Sequence, residues 1–536
     1  MDETHIVRGP PAPHNTSMGT RSLGELFLQI LRKAPHSVVL VNGATGIEYT
    51  NGDILERALE LAAYLRDHNV QRGDVVAIVA ENRIEYAITM IALFLIGSTA
   101  ALFNPNYTSR ELAHALNTAR PKMVFVSDGA RVSLLQAIRS AQQLTSVICF
   151  DAVERSNTFA DCLRRSSRRF AAHSFRPDPV DVSSEVAVIV MSSGTTGLPK
   201  GVLITQGNVM ATMANLRAVI EMGLELRINV DVLPWFHVAG GIAMLNYIGA
   251  QVRTIFLPKF EPRTYLRCIA KFRPNFLHIV PPIAVFLAKH PLVDEFDLSS
   301  VEIIACGAAP LSKEVEELIY ARLKVPGLRI RQGYGMSETT QAITYYDGEA
   351  IKPGSIGKVR PGQLAKVIDP ETSRALGPNQ RGELCFKGSL IMKGYIGQQG
   401  TGVDPDGWLH TGDIGYYDAD GDFYIVDRLK ELIKYNGFQV APAELEALLL
   451  SHPAVKDAAV VGIPDERNGE LPVAFVVRAD GPEVSERELI AFVDGKVSNE
   501  KRLRGGVRFV GEIPKTNSGK ILRRTLRELV KKQAKL

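Results

Sequence analysis

The residues with the clearest chemical potential lie in the segment MSSGTTGLPKGV (residues 191–202), directly after the apolar stretch 186–190. Glycines, hydroxyl side chains and one lysine, Lys200, stand close together there. Such a loop can present backbone N–H groups, hydroxyl donors and a cation to phosphate oxygens. It does not fit the Walker A pattern, which needs Gly-Lys followed by Ser or Thr, because here Pro199 precedes Lys200 and Gly201 follows it. A flexible surface turn is the alternative reading of such a glycine-rich segment.

Two further positions could do chemistry, although each also has a structural explanation. His237 stands among apolar residues in WFHVAG, where a histidine is more often a hydrogen-bonded core residue. Lys520 stands in a Ser-Gly-Lys turn beside Arg523 and Arg524, which alone indicates a solvated helix face. Both positions need a wider pattern before a role can be assigned.

The composition of the chain restricts its class. The 536 residues are 46% apolar and 22% charged, which excludes a disordered or fibrous protein. With 62 basic and 58 acidic residues the net charge is only +4, so we expect no nucleic-acid partner. Five widely spaced cysteines without a CxxC motif indicate free thiols rather than a disulfide framework. The N-terminal residues show no apolar core of a secretory signal.

A stretch without charged residues, 86–109, has an apolar part that approaches membrane-spanning length. Gly97-Ser98-Thr99 divides it, however. We therefore predict a buried helix followed by a buried strand, and no transmembrane segment.

Short segments rich in Val and Ile alternate with helix-period segments from residue 75 onward. The strand-like segments are 75–80, 122–127, 145–150 and 186–191. This alternation predicts an α/β fold, with a large N-terminal domain of helix-covered, mostly parallel sheets.

The pattern changes near Asp427 and Arg428. A strand at 423–426 ends there, and a helix that opens at Pro442 follows, with strands near 457–462 and 472–478. Ser485 and Glu488 then form a capping box at a helix start. We predict an N-terminal domain, 1–427, and a small α+β C-terminal domain, 428–536, with a hinge at about 427–430.

Seven segments together resemble the signature motifs of one superfamily, in its order and across about residues 40–525. They are SSGTTGLPKG (192–201), LPWFHVAGG (233–241), CGAAPL (306–311), RQGYGMSETT (331–340), GWLHTGDIGYYD (407–418), VDRLKELIKYNGFQVAPAELEALL (426–449) and PKTNSGKILRR (514–524). The chain resembles the adenylate-forming (AMP-binding) superfamily, and in particular its 4-coumarate:CoA ligase-like and insect luciferase-like acyl-CoA synthetases.

The resemblance implies a two-step reaction that uses ATP, Mg²⁺ and coenzyme A. A carboxylate attacks the α-phosphorus of ATP, giving an acyl-adenylate and pyrophosphate, and the thiol of coenzyme A then displaces AMP. Because carboxylate and polyphosphate are both anionic, such a site must supply positive charge and fixed orientation.

The resemblance assigns a set of residues to the nucleotide and its metal ion. Those for the phosphates are Ser192, Ser193, Gly194, Thr195, Thr196, Lys200 and Ser337, and those for adenine and ribose are Gln332, Gly333, Tyr334, Asp413 and Arg428. Glu338 would ligate Mg²⁺, with Thr195 sharing the ion, as suits a hard cation with oxygen ligands.

The catalytic residues implied by the resemblance are Lys520, His237, Lys434 and Gln439. Lys520 would bridge the carboxylate and the α-phosphate, and His237 would contact the acyl carboxylate. Lys434 and Gln439 would face the adenylate during thioester formation, so two lysines of one small domain serve different steps and that domain must be mobile. Lys259 and Gly437 are assigned to coenzyme A, next to Asn436 in place of the family's frequent lysine.

The resemblance also assigns an acyl pocket, formed by His237, Val238, Ala239, Ala243, Gly307, Ala308 and Gln341. Ala239 stands where the coumarate ligases carry Tyr and beetle luciferases carry Phe, and Ala305 replaces a lysine of the coumarate enzymes. These differences predict a wider and less polar pocket, suited to a fatty or apolar aryl acid.

The C-terminal Ala534-Lys535-Leu536 is close to the Ser-Lys-Leu peroxisomal address, so we expect a peroxisomal import receptor as partner and the cytoplasm otherwise. Two alternatives stay open at this point: a luciferase-type oxygenase that uses the same adenylation step, and a non-catalytic nucleotide-binding homologue. A peptide-synthetase loading domain is disfavoured, because no carrier domain follows the PKTNSGK motif.

Overall fold

The computed structural model describes the chain in a series of ranges. These are residues 5–12, 20–141, 146–152, 157–166, 175–192, 199–221, 223–309, 311, 313–346, 352–397, 402–429, 431–436, 438–465, 467–479, 483–497, 499–515 and 521–533. No helix within them is long and apolar enough to cross a membrane.

The helices are, in chain order, α1 (Leu23–Lys33), α2 (Asn51–Asp67), α3 (Ile84–Leu95), α4 (Ser109–Ala119), α5 (Asp128–Ala141), α6 (Phe159–Ser166), α7 (Gln206–Glu221), α8 (Val238–Gly249), α9 (Pro262–Phe272), α10 (Pro281–Lys289), α11 (Lys313–Leu323), α12 (Pro442–Leu450), α13 (Glu486–Asp494) and α14 (Arg523–Gln533).

The strands up to residue 306 are β1 (Val7–Arg8), β2 (Val38–Asn42), β3 (Glu48–Thr50), β4 (Val75–Val79), β5 (Thr99–Phe103), β6 (Met123–Val126), β7 (Ser146–Cys149), β8 (Val186–Ser192), β9 (Lys200–Thr205), β10 (Ile228–Asp231), β11 (Arg253–Phe256), β12 (Phe276–Ile279) and β13 (Ile303–Cys306). The later strands are β14 (Arg329–Gln332), β15 (Gly335–Met336), β16 (Gln341–Ala342), β17 (Thr344–Tyr345), β18 (Lys358–Val359), β19 (Gln363–Ile368), β20 (Ala375–Leu376), β21 (Gly382–Gly388), β22 (Gly394–Tyr395), β23 (Leu409–Tyr417), β24 (Phe423–Arg428), β25 (Ile433–Tyr435), β26 (Phe438–Val440), β27 (Val455–Asp465), β28 (Gly469–Arg478) and β29 (Val507–Phe509).

Two seven-stranded sheets with helices packed against them form the larger part of the molecule. One has the order β14-β13-β12-β10-β11-β2-β3 and is parallel except for β3. The other has the order β22-β9-β8-β5-β4-β6-β7 and is parallel from β8 to β7. The predicted α/β class is therefore confirmed, as is the buried pair α3 and β5 in the uncharged stretch.

A third sheet departs from the mostly parallel arrangement. Its order is β1-β19-β21-β23-β24, with β20 beside β19, and every pair in it is antiparallel. Short connections such as the one between Tyr417 and Phe423 explain this, because a parallel neighbour would need a longer crossover.

The C-terminal residues build a separate five-stranded sheet and their own core. Its order is β26-β25-β28-β27, with β29 beside β28, and apolar residues of α12 and α13 pack onto it. As expected, Ser485 and Glu488 form a capping box at the start of α13. The change from the third sheet to this one falls between Arg428 and Ile433, where we predict the hinge.

Polar contacts connect the C-terminal elements to the rest of the chain. The Asp427 carboxylate accepts a hydrogen bond (3.0 Å) from the backbone N–H of Ala443, in the first turn of α12. Within the C-terminal domain itself, Arg523 forms ion pairs with Glu431 and Glu446, at 2.8 Å each. The Lys289 ammonium donates to the carbonyl oxygen of Leu450 (3.3 Å).

Candidate functional site

The carboxyl ends of three neighbouring parallel strands, β12, β13 and β14, meet at one edge of the first sheet. The residues that follow them, Val280, Gly307, Ala308 and Gly333, line a cavity at this edge. Ala308 has a left-handed backbone (φ 72°), which turns the chain sharply after β13. Ligands of open α/β sheets bind outside the carboxyl ends of the strands, so this edge is a suitable place for a site.

Helix α8 forms the opposite wall of the cavity. His237 stands at its N-cap, where the Nδ1 atom accepts a hydrogen bond (3.2 Å) from the backbone N–H of Ala239. The cavity of about 200 Å³ is much larger than one water molecule needs. The structure brings every residue of the expected acyl pocket to it: His237, Val238, Ala239, Ala243, Gly307, Ala308 and Gln341.

The residues expected at the ribose form one hydrogen-bonded cluster. The hydroxyl of Tyr334 donates to the Asp413 carboxylate (2.6 Å), and Nε of Arg428 lies 3.2 Å from the other carboxylate oxygen. Asp413 and Arg428 are direct partners across the β23–β24 pair. Burial, followed by the charge of Asp413, raises the pKa of Tyr334 above its usual range, so this hydroxyl stays protonated.

Gln332 reaches the cavity, but the hydrogen bonds of its side chain are made elsewhere. Its amide donates to the carbonyl oxygen of Leu311 (2.9 Å) and to Glu316 (2.8 Å), and its oxygen accepts from the N–H of Leu311 (2.9 Å). Gln332 therefore fixes the segment after β13, while Gly333 presents only backbone to the cavity.

A second polar cluster joins the end of the phosphate segment to Glu338. The Tyr395 hydroxyl donates to Oε1 of Glu338 (2.8 Å), and the Lys200 ammonium lies 4.9 Å from the centre of the Tyr395 ring. Tyr395 lies outside the seven signature segments, so no pattern in the sequence pointed to it. The carboxylate of Glu338 offers oxygen ligands, so its chemistry fits Mg²⁺.

Several expected site residues lie apart from the cavity or outside the described residues. Lys259 and Lys434 are exposed, and Lys434 faces Gln439 across the β25–β26 hairpin. Ser192 ends β8, and Ser337 is buried in the turn before Glu338. Six further expected residues lie outside the described residues: Ser193, Gly194, Thr195, Thr196, Gly437 and Lys520. The side chain of Gln439 is likewise not described.

The far end of the cavity carries polar residues to which the sequence assigned no role: Asn246, Tyr247, His278, Arg331 and Arg360. Tyr247 is hydrogen-bonded to Nδ1 of His278 (3.1 Å), and Asn246 donates to Gln341 (2.9 Å). Burial, reinforced by Arg360, lowers the pKa of His278 to about 4, so the imidazole is neutral at pH 7. The expectation of a less polar pocket thus holds at Ala239, Ala243 and Ala305 but not at this end.

Comparisons with known proteins agree with the motifs and the fold. The family model described as AMP-binding enzyme matches residues 27–396, and that of the AMP-binding enzyme C-terminal domain matches 444–520. A luciferin 4-monooxygenase of Nipponoluciola cruciata is 41% identical over 92% of each chain. A probable 4-coumarate–CoA ligase 1 of Dictyostelium discoideum is 38% identical over 96% of each chain.

Solved structures show the same architecture. The ATP-bound MatB of Rhodopseudomonas palustris superposes with a TM-score of 0.84 at 27% identity, covering 95% of this chain and 99% of that one.

Proposed function

Because the chain belongs to the AMP-binding enzyme family, we propose that it activates a carboxylic acid with ATP and then transfers the acyl group to coenzyme A. In the first step a carboxylate oxygen forms a bond to the α-phosphorus, and pyrophosphate leaves. In the second step the sulfur of coenzyme A attacks the acyl carbonyl carbon and AMP leaves, while the thiol proton goes to solvent or AMP.

The observation that carries this proposal is the meeting of two sets of residues at one sheet edge. The acyl-pocket residues line a single cavity, and Tyr334, which follows β14 and the cavity residue Gly333, belongs to the cluster with Asp413 and Arg428. A carboxylic acid in the cavity and a nucleotide at the cluster would therefore be held close together, which is the main requirement of the first step.

The nucleotide end supplies orientation and charge. Asp413 accepts the ribose hydroxyls, while Tyr334 and Arg428 hold its carboxylate in place. Lys200, held over the Tyr395 ring, offers a cation to the phosphates. Glu338 would hold Mg²⁺, which supplies charge neutralisation at the phosphate oxygens when bound.

The acid end receives the body of the substrate between apolar walls. Ala243, Phe276 and Ile303 pack in one cluster with Ala305, and small side chains leave the space that a larger residue would fill. His237 stands at the start of α8, close to where the reacting carboxylate would lie. We propose a fatty or aryl acid as the substrate, in place of a small polar acid.

The C-terminal residues would serve the two steps in turn. We propose that Lys520 neutralises charge during adenylation and that Lys434, with Gln439, faces the adenylate during thioester formation, after rotation of the small domain about residues 427–430. Lys259 would contact coenzyme A.

We further propose that Ala534-Lys535-Leu536 directs the protein to peroxisomes. A fluorescent reporter that ends in the last dozen residues should enter peroxisomes, and deletion of the three residues from the full chain should leave it in the cytoplasm. Import that persists after the deletion would refute the address.

The function is tested by pyrophosphate release from ATP with a panel of carboxylic acids, with and without coenzyme A. We expect acid-dependent pyrophosphate, and AMP and acyl-CoA in equal amounts when coenzyme A is present. Orthophosphate as the first product would contradict the adenylate mechanism. Light with luciferin and oxygen, without acyl-CoA formation from any acid, would favour the oxygenase alternative.

A further inference from the structure

Two walls run along the length of the acid cavity: helix α8 on one side and strands β12 to β14 on the other. Along helix α8, Tyr247 lies about 12 Å beyond Ala239 at the helical rise of 1.5 Å per residue, and its hydroxyl meets His278 of β12. Strands β12 to β14 run towards the nucleotide end, so residues earlier in these strands are deeper.

One row of the sheet carries polar side chains on either side of a small residue. His278 is the register partner of Ala305, and Ala305 is the register partner of Arg331, so all three side chains emerge on the same sheet face. Ala305 leaves a gap between the other two. Each residue of this row is the second-last residue of its strand, so the row lies deeper than the residues that line the entrance.

Arg360 is the most informative residue at this end. Its Nε donates to the carbonyl oxygen of Thr344 at 3.4 Å, which is a long hydrogen bond. Among the residues that the structure describes, no carboxylate lies within ion-pair distance of its guanidinium, and none of the lining residues is Asp or Glu. Desolvation in its partly buried position lowers the pKa of Arg360 to about 10, which leaves it charged at pH 7.

A partly buried guanidinium without a carboxylate partner is costly, because it has lost much of the water that solvates it. Proteins normally avoid this cost by pairing the charge. Here the accessible part of the side chain lines a ligand cavity, so a ligand can provide the missing partner.

Tyr247 and His278 add a neutral donor next to Arg360. If the Tyr247 hydroxyl donates to Nδ1, the imidazole retains Nε2–H, and if Nδ1–H donates to the hydroxyl oxygen, the hydroxyl proton is available. Each tautomer therefore leaves one donor that the pair does not use. Charge and donor together match an anionic group with several acceptor oxygens.

We infer that the far end of the cavity binds a second carboxylate, so that the preferred substrates are dicarboxylic acids with an apolar body. One carboxylate would be activated beside His237, and the other would pair with Arg360 and accept a hydrogen bond from Tyr247 or His278. This inference rests on the proposed function, and it replaces the simple fatty acid with an acid that is polar at both ends.

The experiment compares matched acids in the pyrophosphate assay: suberate, sebacate and dodecanedioate against octanoate, decanoate and dodecanoate. We expect the diacids to have the higher kcat/KM at equal chain length, by about 10- to 100-fold, as for a hydrogen-bonded charged group. In Arg360→Leu the diacids should lose this advantage, while the monoacids should be turned over as well as or better than by the wild type. Arg360→Lys should retain part of the preference.

Two controls separate a binding role from a structural one. Without ligand, Arg360→Leu should melt at the same temperature as the wild type or higher, because a buried charge is removed. The second control concerns Asp347 and Glu349, the two carboxylates of segment 347–351, which is outside the described residues. Asp347→Asn and Glu349→Gln should leave the diacid preference unchanged. A diacid preference that depends on either of these carboxylates, or a large loss of stability in Arg360→Leu, would show that Arg360 has a partner in the protein and would overturn the inference.

Failure of the inference and failure of the proposed function give different results. If monoacids support pyrophosphate release from ATP and diacids do not, the proposed function stands and the second-carboxylate subsite is wrong. If no acid of either kind supports pyrophosphate release or acyl-CoA formation, the proposed function itself is wrong.

Discussion

The nucleotide end and the far end of the acid cavity differ in how their charges are compensated. At the nucleotide end Asp413 is paired with Arg428 and bonded to Tyr334, and Glu338 accepts from Tyr395. At the far end the described residues provide no carboxylate for Arg360. The first end is thus pre-arranged by the protein itself, whereas the second is completed by its ligand.

This difference separates what is common to a reaction from what is specific to a substrate. Every acid that is activated by ATP needs the same ribose and phosphate contacts, so those groups can be held fixed by internal pairs. The body of the acid changes from enzyme to enzyme, so the groups that contact it are free to be complementary to the substrate alone. Variants at the two ends should therefore have separable effects.

The largest effect is expected from the lysines of the C-terminal domain. Lys520→Ala should slow acyl-adenylate formation by about a hundredfold or more, because a cation that offsets the carboxylate–phosphate repulsion is lost. It should still form thioester from supplied acyl-adenylate, and Lys434→Ala should show the opposite bias. Single-turnover kinetics of each half-reaction measure this. Equal losses in both halves, in variants with unchanged circular dichroism and melting temperature, would contradict the division of roles.

A change at the ribose cluster should affect ATP and leave acid choice alone. Asp413→Asn should raise KM for ATP by about 10- to 100-fold, since a hydrogen bond to a charged group is lost. Tyr334→Phe, which removes one contact to Asp413, should have a smaller effect in the same direction. Steady-state kinetics with two acids give both quantities. An altered ratio of kcat/KM between the acids would show that the two ends are not independent.

Filling the cavity near its entrance should change the acid specificity and leave ATP binding unaffected. Ala239→Tyr introduces a ring on the first turn of α8, and the longest acids should lose about tenfold or more in kcat/KM while short acids and KM for ATP change little. The acid series with matched ATP titrations checks this. A uniform loss over all chain lengths would mean that Ala239 does not face the acyl chain.

The smallest effect is a difference in the pH dependence of stability. The folded-state pKa of His278 is lowered from 6.5 to about 4 by burial and Arg360, so between these values the unfolded chain binds more protons than the folded one. Stability is therefore lost as pH falls from 6.5 towards 4, with a limiting slope of roughly 1 kcal/mol per pH unit from this residue.

Denaturant unfolding of the wild type and of His278→Gln at several pH values in this range tests that slope. We expect the variant to lose less stability with acidification, since its amide does not titrate and can still bond to Tyr247. Parallel pH profiles in the two proteins would indicate that the imidazole is not held neutral by its surroundings.

The sequence was a good guide to the fold wherever local patterns decide the structure. Apolar runs at 75–80, 122–127 and 186–191 became β4, β6 and β8, and Pro442 opens α12 as expected. The antiparallel third sheet was not foreseen, because strand direction depends on which neighbours pair and not on the pattern of a single strand.

The candidate site likewise contains residues that the sequence could indicate and residues that only the folded structure brings together. The acyl-pocket residues lie in motifs or, for Ala243 and Gln341, within two residues of one, and the structure places them at one cavity. Tyr395, His278 and Arg360 belong to no motif, and their meeting with Glu338 or Tyr247 depends on contacts between residues far apart in the chain. A buried arginine cannot be told from a surface arginine by sequence alone, and its lack of a carboxylate partner is a property of the folded surroundings.

Arg428 belongs both to the ribose cluster and to the connection between the two domains, which bears on the order of nucleotide release and domain movement. It is the ion-pair partner of Asp413 and also the last residue of β24, from which the chain passes to the C-terminal sheet. A rotation of the small domain about these residues would shift the support of this guanidinium, so nucleotide occupancy and domain orientation would be thermodynamically linked. By reciprocity, a bound nucleotide that favours one orientation is itself bound more tightly in that orientation. Release of AMP would then be timed by the domain movement, and not by the affinity of the ribose contacts alone.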